Sequence, residues 1–259
     1  MKIAGSTILV TGASSGIGAA LAPMLAAKGA TVGIVARRAD RLEQTLEQCL
    51  EHAPQSRMWT ADLSDLDAAE QVVTDAWNAF GALDCLVNNA AVGKRKLVTD
   101  HTPDDVDYVL RTNFLSPIRM ALKVLPMMLG RGSGTIVNVG SGGGRFGIVH
   151  ESAYCAAKFA MTGWSEVAAM DLFDTPVEIK LIQPGAIATE IWEPQPGELP
   201  GLPGAQFATA AECATGICDA METEGMEFFV PADLEGHVQL KNSDLNAWID
   251  LMAQIGKAK

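Results

Sequence analysis

A phenol and an amine four residues apart are the side chains of this sequence best placed to do chemistry. They are Tyr154 and Lys158, in Ser152-Ala153-Tyr154-Cys155-Ala156-Ala157-Lys158. Read as helix, the stretch puts both on one face, one turn apart. An ammonium beside a phenol favours the phenolate and so predicts a tyrosine pKa below its usual value of about 10. The pair then offers a proton donor or acceptor near neutral pH. The same spacing also arises by chance in helices, so the elements around it decide.

The first of these elements is N-terminal. Residues 6–10, Ser6-Thr7-Ile8-Leu9-Val10, read as a short buried strand rich in β-branched side chains. Thr11-Gly12-Ala13-Ser14-Ser15-Gly16-Ile17-Gly18 follows, and 19–29 reads as a helix. A strand, a glycine-rich turn and a helix N-terminus aim N–H groups at an anion and let its phosphates approach the main chain. The spacing of Gly12, Gly16 and Gly18 is not G-x-G-x-x-G, and a plain tight turn is the alternative.

At 259 residues, with a hydrophobic fraction of 48%, the chain can bury a sizeable core. Its net charge of −12 argues against a general nucleic-acid binder. Cys49, Cys85, Cys155, Cys213 and Cys218 are odd in number and hold no C-x-x-C pair. They predict neither a disulfide framework nor a metal site, and a cytoplasmic location. Cys155 beside Tyr154 reads as a small packed helix residue rather than a nucleophile. No apolar run reaches the roughly 20 residues of a membrane helix. Met1-Lys2-Ile3-Ala4 leads almost at once into the first strand, so no signal peptide is expected.

Beyond the first helix, strands are predicted at 31–36, 56–60, 83–88, 134–139 and 177–183. Helices are predicted at 40–51, from an N-cap at Ser64 to Phe80, at 103–112, 117–129 and 152–173. The alternation implies βαβ units and a single-domain α/β fold over 1–259: a doubly wound parallel sheet with helices on both faces, the Rossmann arrangement. Residues 187–207 carry Pro194, Pro196, Pro200 and Pro203 with Trp192, Leu199, Leu202 and Phe207. Following a strand's carboxyl end, this proline-broken segment is expected to be a substrate lid.

The glycine turn, Asn88-Asn89-Ala90, Asn113, Ser141, Tyr154–Lys158 and Pro184-Gly185 occur in one order. Together, over about 6–190, they resemble the short-chain dehydrogenase/reductase family in its compact single-domain form. The resemblance implies that Tyr154 is the general acid in ketone reduction, or the base in alcohol oxidation. It implies that Lys158 lowers the tyrosine pKa and bonds the nicotinamide ribose, and that Ser141 holds the substrate oxygen. Asn113 would hold a water relaying protons to Lys158. The cofactor contacts it implies are Gly12, Ser14, Ser15, Gly16, Ile17, Gly18, Asp62, Leu63, Asn89, Ala90, Tyr154, Lys158, Pro184, Gly185, Ile187 and Thr189. Two departures stand out. Ala91 replaces the family's usual glycine, which is tolerable if its φ is not positive, and the C-terminus ends in an amphipathic tail around 246–255.

Cofactor choice turns on the end of the second strand, Ile34-Val35-Ala36-Arg37-Arg38, with no carboxylate before Asp40. Guanidinium groups there suit the 2′-phosphate of NADP(H), with Arg37 the first contact, Arg38 the second and Ser14 lending a hydroxyl. The expected activity is NADP(H)-dependent interconversion of a small-molecule ketone and secondary alcohol. A non-catalytic NADP(H) sensor is the alternative, but it would need no proton donor. A sugar-nucleotide epimerase or dehydratase would need a larger substrate domain. Phe146, Ile148 and Val149, with Trp192, Leu199 and Phe207, predict a mainly apolar pocket. Phe159, Met161, Trp164 and Val167 predict an apolar helix face. With the helix pairing common in the family, that face implies a homodimer or homotetramer.

Overall fold

The computed structural model describes residues 1–201 and 205–257. Leu202 and Pro203 of the expected lid lie outside them. Seven parallel strands form one sheet in the order β3-β2-β1-β4-β5-β6-β9. They are β1 (Thr7–Thr11), β2 (Thr31–Ala36), β3 (Arg57–Thr60), β4 (Cys85–Asn88), β5 (Gly134–Val139), β6 (Val177–Pro184) and β9 (Glu227–Val230). The near-continuous burial of the five inner strands, β2, β1, β4, β5 and β6, matches a sheet covered on both faces, with Val10 of β1 in register with Ile34 of β2 and Val87 of β4. The doubly wound α/β fold expected from the sequence is the observed one.

One face is covered by α1 (Gly16–Ala27), α2 (Ala39–Leu50) and α7 (Ala210–Glu222), around a core that includes Leu21, Leu25, Leu42 and Ile217. The other carries α3 (Leu66–Phe80), α5 (Ser116–Arg131) and α6 (Ser152–Asp171), packed through Val73, Met120, Val124 and Trp164. In α4 (Pro103–Leu110) Thr102 and Asp105 close a capping box. The N-cap of α3 is Asp65, not Ser64. Its carboxylate accepts from Asp67 N (3.0 Å) and Ala68 N (3.2 Å), whereas the Ser64 hydroxyl is spent on Asp62. A carboxylate at a helix N-terminus satisfies two donors and also opposes the macrodipole, which a hydroxyl does not.

The two helices expected at 103–112 and 117–129 form one run, joined by a π-helical turn, Arg111–Leu115. Pro117 has no N–H to give the Asn113 carbonyl, so the helix cannot continue its i→i−4 ladder there. The Ser116 N–H bonds Arg111 instead.

After β6, two residues of β7 (Ile187–Ala188) pair in parallel with β8 (Ala208–Thr209), so the ends of the 187–207 segment are tied together. The chain ends in α8 (Leu234–Ser243) and α9 (Leu245–Lys257), which fold back over the carboxyl ends of the sheet. Trp248 anchors them. It is 3% exposed, donates Nε1–H to Gly147 O (3.0 Å) and packs on Phe146 at 4.7 Å between ring centroids. Among the described residues, no helix is long and apolar enough to cross a membrane.

Trp248→Ala should detach α9 while leaving the sheet folded, because the anchor is local and terminal. A buried Trp truncation costs about 3–5 kcal/mol. Hydrogen exchange should show lost protection in residues 245–257, with protection in β1, β4 and β5 retained. Unchanged protection of the last helix would contradict the anchoring role.

Candidate active site

The carboxyl ends of β1, β4, β5 and β6 open onto one cavity of about 1110 Å³. At its β1 side the chain turns at Gly12, whose φ of 70° suits glycine. A Cβ there would lie 2.7 Å from the Ala90 main chain, and one at Gly18 would lie 2.4 Å from the Gly12 carbonyl. The Thr11 hydroxyl accepts the N–H groups of Asn89 (2.8 Å) and Ala90 (3.0 Å) and donates to Val87 O, while the Asn89 amide returns to Thr11 O (2.8 Å). Turn and strand end are therefore one rigid unit. Ala91 is not at positive φ, so its methyl is accommodated, as expected.

Helix α1 starts at this turn with Ser15 as its extended N-cap, and no side chain among the described residues caps it. Ser14, Ser15, Gly16 and Ile17 line the cavity, so the first N–H groups of α1 are available to an anion. Asp62 and Leu63 past β3, and Pro184, Gly185, Ile187 and Thr189 past β6, line it too. A glycine cradle that any Cβ would fill, an uncapped helix N-terminus and a cavity running on to Tyr154 fit a dinucleotide.

The arginines are arranged differently from the expectation. Arg37 turns to the Tyr108 hydroxyl (2.8 Å). Arg38 stands on the serines instead, donating to Ser15 Oγ (2.7 Å) and more weakly to Ser14 Oγ (3.4 Å). Arg38 also pairs with Glu190, as does Arg41, which the sequence reading passed over. Its signal was the i, i+3 spacing from Arg38 at the start of α2.

Tyr154 lies near the N-terminus of α6 and lines the cavity beside Ser141, whose hydroxyl accepts the Gly143 N–H (3.0 Å). Lys158 is 2% exposed, donates Nζ–H to Val139 O (2.8 Å) and stands 5.7 Å from the centroid of the Tyr154 ring. The expected direction of the tyrosine shift is reversed. Burial pushes the Tyr154 phenol above its usual range, with the nearby Ser141 hydroxyl the opposing influence. Burial also lowers Lys158 to about 8. Spacing put the pair on one face, but loss of water outweighs their mutual effect.

Ser141 is held by residues the sequence reading did not single out. Its N–H donates to Gln183 Oε1 (2.8 Å), and Gln183 Nε2 donates to Thr162 Oγ1 and Glu227 Oε1. Arg145 grips Glu227 through two bonds of 2.7 and 2.8 Å. The Asn113 side chain is engaged within the fold. Its amide bonds Val92 on both sides, Nδ2 to Val92 O and Oδ1 from Val92 N, each 2.8 Å. That commits the amide to fixing the chain after β4.

The expected apolar lining is present in part. Phe146, Ile148, Trp192 and Phe207 line the cavity, whereas Val149 and Leu199 do not. Trp248, Met252 and Ile255 of α9 join them. Their i, i+4, i+7 spacing was legible as a helix face, though not its destination.

One part of the wall is charged. Arg95 is 2% exposed, donates Nη1–H to Ile191 O (2.6 Å) and Nε–H to Leu199 O (3.3 Å), and so pins the 187–207 segment. Glu151 (3.6 Å) and Glu198 (3.7 Å) flank it, and Lys94 pairs with Glu198 at 3.3 Å. Desolvation pushes the Glu151 carboxyl up to about 7, with Arg95 pulling the other way.

A doubly wound sheet and a glycine cradle at the β1–β4 crevice make a site a dinucleotide would fit, and Ser141, Tyr154 and Lys158 stand in the same cavity. A family model described as short chain dehydrogenase matches residues 6–198, and the chain belongs to that family. It is 37% identical over 191 residues to the uncharacterized oxidoreductase YxnA of Bacillus subtilis, covering 73% of this chain. The chain spans only 54% of YxnA's length. The NADPH-dependent pterin aldehyde reductase of Arabidopsis thaliana is 33% identical over 216 residues, 83% of this chain and 88% of that protein. A solved short-chain dehydrogenase/reductase from Burkholderia phymatum, in complex with NAD, superposes with a TM-score of 0.86 at 21% identity and 96% coverage of each chain. That likeness is one of fold.

Glu151 gives a pH signature. Its folded pKa of about 7 lies above the ordinary 4.5, so between those values the folded chain holds more protons than the unfolded one. The stability it contributes is present below pH 4.5 and is lost as pH rises through 7. Glu151→Gln should remove this slope, a change on the order of 2–3 kcal/mol. Denaturant unfolding of both proteins across pH 4.5–7.5 checks it. Parallel curves would refute the assignment.

Proposed function

We propose that this protein is an NADP(H)-dependent oxidoreductase that interconverts a ketone and a secondary alcohol. The observation that carries the reading is the Ser141–Tyr154–Lys158 set, which lines the same cavity as the glycine cradle. A nicotinamide dinucleotide, when bound, supplies or takes the hydride. The side chains of this chain do the rest. The Ser141 hydroxyl, oriented by the Gly143 N–H it accepts while Gln183 holds the Ser141 main chain, bonds the substrate oxygen and stabilises charge developing on it. Tyr154 Oη gives that oxygen a proton in reduction and takes one in oxidation. A raised phenol pKa suits the donor role at neutral pH. Lys158, held at Val139, is placed to bond a ribose and to bring positive charge to the phenol.

A water relay to Lys158 would run through the Asn113 main-chain carbonyl, which Pro117 cannot bond, since the Asn113 side chain is taken by Val92. Arg38, with Ser15 and Ser14, supports preference for a 2′-phosphate, and the similarity to an NADPH-dependent reductase agrees with it. The 187–207 segment would act as a lid over a mainly apolar substrate body. The protein is expected to work in the cytoplasm.

Assembly follows from exposed apolar surface. Of the expected face, Met161 is buried and Trp164 packs into the core. Phe159, Val167 and Met170 of α6 remain exposed, with Leu122 and Leu129 of α5. Two-fold pairing of this surface would give at least a homodimer, and a homotetramer if a second surface joins.

Tyr154→Phe should lower kcat by at least about a hundredfold, the lower end for a lost general acid, with NADPH binding retained. Steady-state turnover over a ketone panel, with NADPH titrated by fluorescence, checks both parts. Wild-type turnover in the variant would sink the catalytic role. Light scattering at micromolar concentration should give a multiple of the chain's 27.3 kDa, and a monomer mass would sink the pairing.

A further inference from the structure

Glu190 holds Arg38, the guanidinium that stands on the serines of the glycine cradle, and with it Arg41, one turn further along α2. It opens the 3-10 turn Glu190–Trp192 at the root of the 187–207 segment and lines the cavity. Its carboxylate pairs with Arg38 Nη1 at 2.7 Å and with Arg41 Nη1. Among the described residues, neither arginine has another acidic partner within salt-bridge distance. The second nitrogen of Arg38 lies on Ser15 Oγ, beside the glycine cradle. Thr189, the neighbour of Glu190, packs against Gly16 of that cradle. One carboxylate therefore ties the root of the segment to the site where an adenosine ribose would lie.

A carboxylate and a phosphate monoester make the same demand on a guanidinium: parallel N–H donors to anionic oxygens. They cannot share the same Arg38 nitrogens without bringing like charges together. All three partners are about 40% exposed, so water is available to Glu190 once it is displaced, and the exchange is not blocked by burial. The arginines hold the Glu190 carboxyl below its usual range, so it is anionic at neutral pH and competes at full charge.

Resting on the NADP(H) reading, we propose that Glu190 is an intramolecular competitor for the cofactor's 2′-phosphate. It occupies Arg38 and Arg41 until the phosphate displaces it. Its displacement frees the first turn of the 187–207 segment from α2. Glu190 thus sets the ratio of NADPH to NADH affinity without acting on the reacting atoms, and it links the adenosine end of the cofactor to the segment over the substrate.

The test is equilibrium binding of NADPH and of NADH to wild type and Glu190→Gln, followed by tryptophan fluorescence without turnover. Removing the charge while keeping the shape should tighten NADPH roughly three- to thirtyfold, the range for two exposed ion pairs, and change NADH less than about twofold. Hydrogen exchange on the wild type should show residues 187–193 losing protection with NADPH and not with NADH. A wild type that prefers NADPH, with a ratio unaltered in the variant, overturns the competitor role and leaves the cofactor reading standing. A wild type that prefers NADH, with a variant shifted toward NADPH, supports the competitor role and overturns the cofactor reading. Preference for NADH with no shift overturns both.

Discussion

Where β1 and β4 part, the chain leaves one strand for each face of the sheet, and a crevice opens that no side chain from either helix layer fills. The rest of the structure is arranged around that divergence. Parallel strands in the order 3-2-1-4 produce it by topology alone. Keeping it open and rigid needs the Thr11 hydroxyl, which receives the main chain of Asn89 and Ala90 and so locks the β1 turn to the end of β4. The close approach at Gly12 and Gly18 follows, because the turn can sit this near β4 only without a Cβ. The uncapped start of α1, the Asn113 clamp on Val92 and the course of the chain to Arg95 are all referred to this one corner.

Burial governs the chemistry as strongly as proximity does. A lysine ammonium and a tyrosine phenol on adjacent turns would suggest a mutually stabilised ion pair in water. Inside the protein each loses solvation, and each shifts toward its neutral form, the phenol upward and the amine down to about 8. A neutral phenol is the form that can donate a proton. A positive charge near the phenol would favour the phenolate. Glu151 obeys the same rule three residues earlier, its carboxyl raised despite the adjacent Arg95.

The features legible in the sequence were those encoded by neighbours along the chain. The glycine turn after β1, the α6 pair, the serine past β5 and the strand–helix alternation all rest on local spacing. Errors arose where a contact came from elsewhere. Ser64 was an adequate N-cap by type, but Asp62 took its hydroxyl and Asp65 carried the better charge. Position makes Arg37 the first phosphate contact and Arg38 the second, but Tyr108, 71 residues away, takes the Arg37 guanidinium and Arg38 is the one on the serines. The sign of the Tyr154 shift needed a knowledge of solvent exposure, which spacing does not contain.

The same division separates chemistry from selectivity. Ser141, Tyr154 and Lys158 belong to β5, its loop and α6, and the elements that fix them are adjacent in the sheet. The walls a substrate would touch come from the 187–207 segment and from α9, which lies about 90 residues beyond Lys158 and reaches the cavity only because Trp248 packs on Phe146. A terminal helix held by one aromatic anchor can change its sequence, length or tilt without disturbing the sheet. The arginine-pinned segment can likewise vary between its paired ends at β7 and β8. Walls and chemistry meet at the Ser141 loop, where Trp248 packs on Phe146 and bonds Gly147, and at the start of α6, where Arg95 pairs with Glu151, so a change in these walls at those points would be felt by the Ser141–Tyr154–Lys158 set.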